Sequence, residues 1–176
     1  VTIDLEPGAV HAVVGGDGAG KTTLLRILAG IGLSSTGMIR LPAPGRTGYV
    51  PPQGGVFADL SVNENMEFTA DAYRLRDWED RAHRLLQRSA IAEFGSRLGG
   101  NLSGGQRRKL AGSMALLPEP ELLVLDEVTT GVDPVSRMDL WRLIAGAAAG
   151  GTAVVLATSY LDEAERAGMT SLLHRG

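Results

Sequence analysis

The chain of 176 residues contains no cysteine, so a disulfide framework and thiolate metal sites are excluded, and the composition fits a reducing compartment. An excess of either charge is also lacking: the formal net charge of −3 argues against a general basic surface for nucleic acid. No apolar run is long enough to cross a bilayer. The least polar stretch, LIAGAAAGGTAVVLA at 143–157, falls short of the roughly 20 apolar residues a spanning helix needs, and Gly150-Gly151 breaks it. It predicts a helix end followed by a strand. The opening VTIDLEPGAV carries no leader pattern. The expectation is a chain that does not cross a membrane itself but can dock on one that another chain provides. No internal repeat and no disordered linker is found. The length fits one domain with a real core.

What is abundant is glycine. The 24 glycines cluster at 15–20, 30–37, 54–55, 99–105 and 150–151, which marks loops of close backbone approach or positive φ. Strand-like apolar runs lie at 1–5, 9–14, 46–50, 121–125, 152–157 and 170–174. The C-terminal ones are nearly continuous, as in strands buried on both faces. Helical patterns lie between them, over Lys21–Ala29, from Asp133-Pro134 to Gly150, and over Leu161–Ala167. Between 61 and 117 no strand is predicted. SVNE at 61–64 is a capping box leading a helix towards Tyr73, residues 77–91 form an amphipathic helix, and Ser103 opens a third that Pro118 ends. The predicted fold is therefore α/β, a mostly parallel sheet flanked by helices. One domain over 1–176 is expected, with its core at 1–58 and 118–176 and a helical subdomain inserted at about 59–117.

AVHAVVG runs into GGDGAGKTTLLRILAG, so Gly15, Gly20, Lys21 and Thr22 match the phosphate-loop pattern G-x-x-x-x-G-K-[ST]. Backbone amides from Gly15, Gly16, Asp17, Gly18, Ala19 and Gly20 can curl around phosphates, and the helix start adds its dipole. Lys21 supplies a mobile positive charge, Thr22 a hydroxyl for Mg²⁺, and Thr23 a second hydroxyl towards the α-phosphate. ELLVLDEVTTGVDP supplies the partner element. Leu122–Leu125 predict a buried strand with Asp126 at its carboxyl end, where an acid can organise Mg²⁺. Glu127 follows, placed to orient or deprotonate a water against the γ-phosphate.

NLSGGQRRKL at 101–110 poses a separate question. Ser103 and Gln106 form an S-x-x-Q capping box that any helix can use. Yet Gly104-Gly105 lowers helix propensity by roughly 1 kcal/mol per glycine. Arg107, Arg108 and Lys109 also sit at the positive end of the helix dipole, unless they face solvent or an anion is near.

Phosphate loop, helical block, LSGGQ, LLVLDE and TTGVD, in this order and over nearly the whole chain, resemble the nucleotide-binding domain of an ABC ATPase. The resemblance implies a P-loop fold that binds and hydrolyses ATP with Mg²⁺ in a head-to-tail dimer. Two ATP molecules would lie between the phosphate loop of one domain and the signature loop of the other, here Leu102, Ser103, Gly104, Gly105 and Gln106. Asp133 would lie at the dimer seam. The helical block would meet a membrane-spanning permease, placing the chain at the cytoplasmic face of the membrane, with no nucleic acid among its partners.

Departures from that pattern qualify it. The upstream aromatic that stacks on adenine is missing, so the chain looks truncated, and the antiparallel subdomain between Gly30 and Tyr49 is short. In GYVPPQGG the position of the family's Mg²⁺-directed glutamine holds Pro52, and Gln53 reaches the metal only if the loop bulges. Ser159 stands where the family has a switch histidine, and a hydroxyl cannot hold a proton as imidazole does. His11, His83 and His174 are assigned to surface or strand, and Val128 replaces a proline. SYLDEAER with GGDGAGKTTL is most similar to bacterial tandem ABC ATPases of the drug-export or ribosome-associated type. The alternatives are thus a transport ATPase, a weakened half whose signature loop completes a partner's site, or a ribosome-associated ATPase.

Overall fold

The computed structural model describes residues 2–34 and 36–174. Eleven elements carry the fold: β1 (Val10–Val14), α1 (Lys21–Leu28), β2 (Thr47–Val50), α2 (Val62–Tyr73), α3 (Glu79–Arg88), α4 (Gly104–Leu116), β3 (Leu122–Asp126), α5 (Pro134–Ala149), β4 (Ala153–Thr158), α6 (Leu161–Arg166) and β5 (Met169–Leu172). The strands form one sheet in the order β2-β3-β4-β1-β5, and all four pairings are parallel.

The continuous apolar runs become β3 and β4, buried at every residue, because helices cover both faces. Alternate side chains feed two cores. Leu123, Leu125, Val154 and Leu156 pack with the helical block and α5, while Leu122, Val124, Ala153 and Val155 pack with Leu25 of α1. Each such Leu or Val contributes about 1.5–3 kcal/mol by leaving water. Helix α4 crosses close to β2: a Cβ on Gly48 would stand 2.4 Å from the Ala115 carbonyl oxygen.

Both predicted capping boxes form, Ser61 with Glu64 at α2 and Ser103 with Gln106 at α4. Asn65 seats α2. Its fully buried amide donates to the carbonyls of Phe57, Leu60 and Ser61 and accepts from the Phe57 amide. Among the described residues from 59 to 117 the only strand-like pairing is a single antiparallel bridge between Ser61 and Leu98.

Two expectations change. Residues 2–5 form no strand, and Val1 lies outside the described residues. Ile3 and Leu5 do alternate inwards and pack against the α1-side core, but both edges of β1 are already paired, to β4 and β5. The predicted 77–91 helix is shorter, because Asp77 and Ala90 adopt positive φ of 50° and 53° and bound it. No strand lies among the described residues between Gly30 and Arg46, in keeping with the short antiparallel segment expected there.

Candidate nucleotide site

Parallel strands place their carboxyl ends on one edge of the sheet, and four of them carry the residues singled out by sequence. β1 runs into the glycine loop, β2 into Pro51–Gly54, β3 ends at Asp126, and β4 is followed by Ser159. Gly15 has no room for a side chain, since a Cβ would stand 2.6 Å from the Leu173 carbonyl oxygen. Gly18 and Gly20 take φ of 75° and 98°, which turns the loop back onto α1. Gly16, Asp17 and Gly18 are exposed at the tip, Ala19 is buried beneath it, and Thr23 is exposed one turn further on.

Helices α2, α4 and α5 each have a side-chain cap, and the uncapped α3 and α6 carry acids in their first turns, whereas α1 has neither among the described residues. Its first turn instead carries Lys21. Uncapped amides and a basic first turn are unfavourable for a helix by itself and favourable around an anion. The buried Lys21 ammonium donates to the carbonyls of Gly15 at 2.8 Å and Gly16 at 3.2 Å and lies 3.2 Å from a Glu127 carboxylate oxygen.

Asp126 is fully buried. Its Oδ1 accepts from the Thr22 hydroxyl at 3.2 Å, while its Oδ2 is buried with no partner among the described residues. The Tyr49 hydroxyl beside it is likewise unpartnered. An orphaned carboxylate oxygen next to a threonine hydroxyl suits a hard cation or its bound water, so Thr22 and Asp126 fit Mg²⁺. Burial, and secondarily the charge of Glu127, pushes the Asp126 carboxyl above its ordinary value, against the opposing pull of the Thr22 hydrogen bond. Burial and then the Asp126 charge push the Tyr49 hydroxyl up as well.

Glu127 sits in the left-handed region at φ 51°, a conformation that costs on the order of 1 kcal/mol or more for a non-glycine residue. Three backbone bonds hold it. Its amide donates to the Ala157 carbonyl at 3.1 Å, and its carbonyl accepts from Thr130 at 3.1 Å and from the Arg108 guanidinium at 2.7 Å. Sequence reasoning gave Arg108 no such task; the only signal was a run of cations at a helix start.

That run is resolved differently from the expectation of solvent or a partner's anion. Arg108 reaches the Glu127 carbonyl, Lys109 is buried in an ion pair with Asp139 of α5 at 3.0 Å, and Arg107 alone is exposed. In the signature segment, Ser103 and Gly104 are exposed and the Gln106 amide is taken by the Ser103 hydroxyl. Leu102 does not face outwards but belongs to the helical-side core at 4% exposure. Gly105 is buried too: a Cβ there would stand 2.6 Å from the Ser136 hydroxyl and 3.1 Å from an Asp133 carboxylate oxygen. Asp133 itself is exposed and caps α5, and hydrogen bonds from Ser136 foremost, with the Val135 amide adding less, hold its carboxyl below the usual range.

Gln53 stands exposed in a turn closed by a Gly54-to-Pro51 hydrogen bond of 2.9 Å, and makes no hydrogen bond to the phosphate loop among the described residues. Ser159 is exposed just beyond β4. No imidazole joins the site. His11 is buried in β1 against the Ser171 hydroxyl at 2.8 Å, His83 pairs with Gln87 on α3, and His174 is exposed after β5.

Ionising the buried Asp126 carboxyl costs stability that the Thr22 hydrogen bond offsets in part and a bound cation would relieve further. The raised value of that carboxyl means the cost is absent below the unfolded carboxyl range near pH 3.9 and grows as pH rises through the folded value. Asp126→Asn is therefore expected to raise the melting temperature without nucleotide at pH 7.5. Each kcal/mol reads as about 2–4 °C in a chain of this size, and the advantage is expected to shrink towards pH 4. Thermal melts at the two pH values check this, and a lower melting temperature for the variant at pH 7.5 would refute it.

The sequence model of the family described as ABC transporter matches residues 1–130. The chain is 38% identical over 187 residues to the probable multidrug ABC transporter ATP-binding protein YbhF of Escherichia coli (strain K12), a match covering 98% of this chain and 32% of that protein. It is 36% identical over 171 residues to the daunorubicin resistance ATP-binding protein DrrA3 of Streptomyces coeruleorubidus, covering 90% of this chain and 54% of that one. The chain thus spans about a third of the first relative's length and just over half of the second's. Among solved structures, an ATP-binding subunit of an ABC transporter superposes with a TM-score of 0.88 at 27% identity, covering 100% of this chain and 79% of that one.

Proposed function

Because the chain belongs to the ABC transporter family as an ATP-binding domain, we propose that it binds Mg·ATP at the edge of β1 and β3, hydrolyses it, and couples both events to transport. The observation that carries the reading is the uncapped, lysine-bearing start of α1 set beside the orphaned oxygen of Asp126. Amides of the 15–20 loop and Lys21 would take the phosphates, with Lys21 exchanging its Gly15 and Gly16 carbonyls for phosphate oxygens. Thr22 and Asp126 would hold Mg²⁺, which when bound neutralises phosphate charge. Glu127, adjoining Lys21, would orient and deprotonate the attacking water.

The exposed Ser103 and Gly104 support a head-to-tail dimer in which they meet the partner's ATP, with Asp133 at the seam beside Gly105. No helix among the described residues is long and apolar enough to cross a membrane, and this reading gives the crossing to a membrane-spanning permease. The drug-related names of the relatives favour an export system. A second reading, a slow site whose signature loop serves a more active partner, is favoured by Ser159 and by the absence of imidazole among the described residues of the site.

Lys21→Ala decides the binding claim. Charge-assisted hydrogen bonds contribute about 1.5–3 kcal/mol, so the variant is expected to bind Mg·ATP about 10- to 100-fold more weakly by calorimetry. An unchanged affinity would put the triphosphate somewhere else.

A further inference from the structure

We infer that Glu163, which lies within SYLDEAER but was given no role there, is a positioning residue for the hydrolytic edge of the site, an inference that rests on the hydrolysis reading above. Its side chain is fully buried at 0% exposure in the first turn of α6. Oε2 accepts from the Thr129 hydroxyl at 2.8 Å and from the Thr158 hydroxyl at 2.5 Å, and Oε1 accepts from Arg137 Nε at 3.0 Å and Trp141 Nε1 at 3.3 Å. The four donors come from three separate places: the loop after β3, the end of β4, and α5. The Thr158 hydroxyl in turn accepts from the Tyr160 amide at 3.0 Å, and the Arg137 guanidinium lies 4.8 Å from the centre of the Tyr160 ring.

A simple anchoring of the short helix α6 would not need a charge here. Well-packed apolar residues hold such a place as well as a buried ion pair or better, so the pair is weak evidence for stability alone. What the carboxylate does that an apolar side chain cannot is fix two chain segments at once. Thr129 lies two residues beyond Glu127, and Thr158 immediately precedes Ser159. The Glu127 amide also donates to the carbonyl of Ala157, next to Thr158, so the two segments are already joined by backbone. Glu163 thus sets the separation between the loop that carries Glu127 and Asp133 and the loop that carries Ser159. It touches no reacting atom; it acts through the placement of those that do.

Glu163→Gln keeps size and shape but removes the charge and replaces one of the two acceptor oxygens with an NH2 donor, so two of the four donors lose their acceptor. Thr129→Val removes one arm and leaves the rest. Displacement of a reacting group by about an ångström costs up to about a hundred-fold in rate. Both variants of the full protein are expected to lower kcat about ten- to a hundred-fold, with KM and the Mg·ATP dissociation constant within about two-fold of the parent. The double variant is expected to be no slower than Glu163→Gln alone, because both act on one contact. Amide hydrogen exchange is expected to accelerate at residues 128–132 and 158–161 and not in β1 or α1.

Parent-like kcat together with parent-like exchange in both variants would overturn the inference. So would a loss that appears equally in nucleotide affinity. Should Glu163→Gln not fold, Thr129→Val alone decides by the same two readouts. Should the parent bind Mg·ATP but not turn it over, the hydrolysis reading fails, while the exchange pattern still decides whether Glu163 holds the two loops.

Discussion

Glu127→Gln is expected to lower ATP turnover about 10²- to 10⁴-fold, the usual contribution of a positioned general base, while Mg·ATP binding stays at least as tight. Glutamine has the size of glutamate and can still meet Lys21, but it cannot accept a proton from water. The side chain is 28% exposed and lies 3.2 Å from the Lys21 ammonium, so it stands beside the lysine end of the glycine loop. Removing its charge also removes repulsion against the triphosphate, which is why affinity is not expected to fall. The backbone remains fixed by Arg108, Thr130 and Ala157, so the variant alters chemistry and not the loop. ATP-dependent dimerisation is expected to survive and to persist longer. Phosphate release, calorimetry and size-exclusion with Mg·ATP measure the three quantities. Turnover that stays at the parent's level would show that the parent's own site contributes no base, and would favour the slow-site reading.

Lys109→Met is expected to destabilise the protein by about 3 kcal/mol, because removing one partner of a buried pair strands the other charge. That loss corresponds to a fall in melting temperature of about 6–12 °C. Lys109 and Asp139 are 7% and 10% exposed at their side chains, and their 3.0 Å contact joins α4 to α5 beneath the signature segment. The low end of the range is expected because Asp139 keeps Arg142 at 3.1 Å, on a side chain that is 64% exposed. Lys109→Met with Asp139→Leu is expected to recover most of the loss, since an apolar pair can replace an ion pair at little cost. Arg107→Ala, two positions earlier and exposed, is expected to stay within about 0.5 kcal/mol. Chemical or thermal denaturation of the four proteins checks the series; equal effects at 107 and 109 would refute the buried-pair account.

These two cases show where sequence reading succeeds and where it stops. The position of Glu127 was legible because it is local: a buried strand ends, two acids follow, and strand geometry puts them at the carboxyl edge of the sheet. Lys109 was not, because its partner Asp139 lies 30 residues away on another helix, and nothing in a run of three cations says which one turns inwards. Leu102 and Gly105 belong to the same class. They sit inside a recognisable motif, yet their own surroundings are core, since α5 packs against the first turn of α4 through Ser136.

The sequence by itself determined the glycine loop before α1, the buried strands, both capping boxes and the order of the elements from β1 onwards, because each depends on residues within a few positions of one another. Only the tertiary structure decided that residues 2–5 form no strand, that Arg108 holds the backbone of Glu127, and that Glu163 gathers donors from β4, α5 and the loop after β3. The physical reason is burial of charge and polarity. A buried polar group must find its partner wherever the fold brings one, and periodicity along the chain carries no record of that distance.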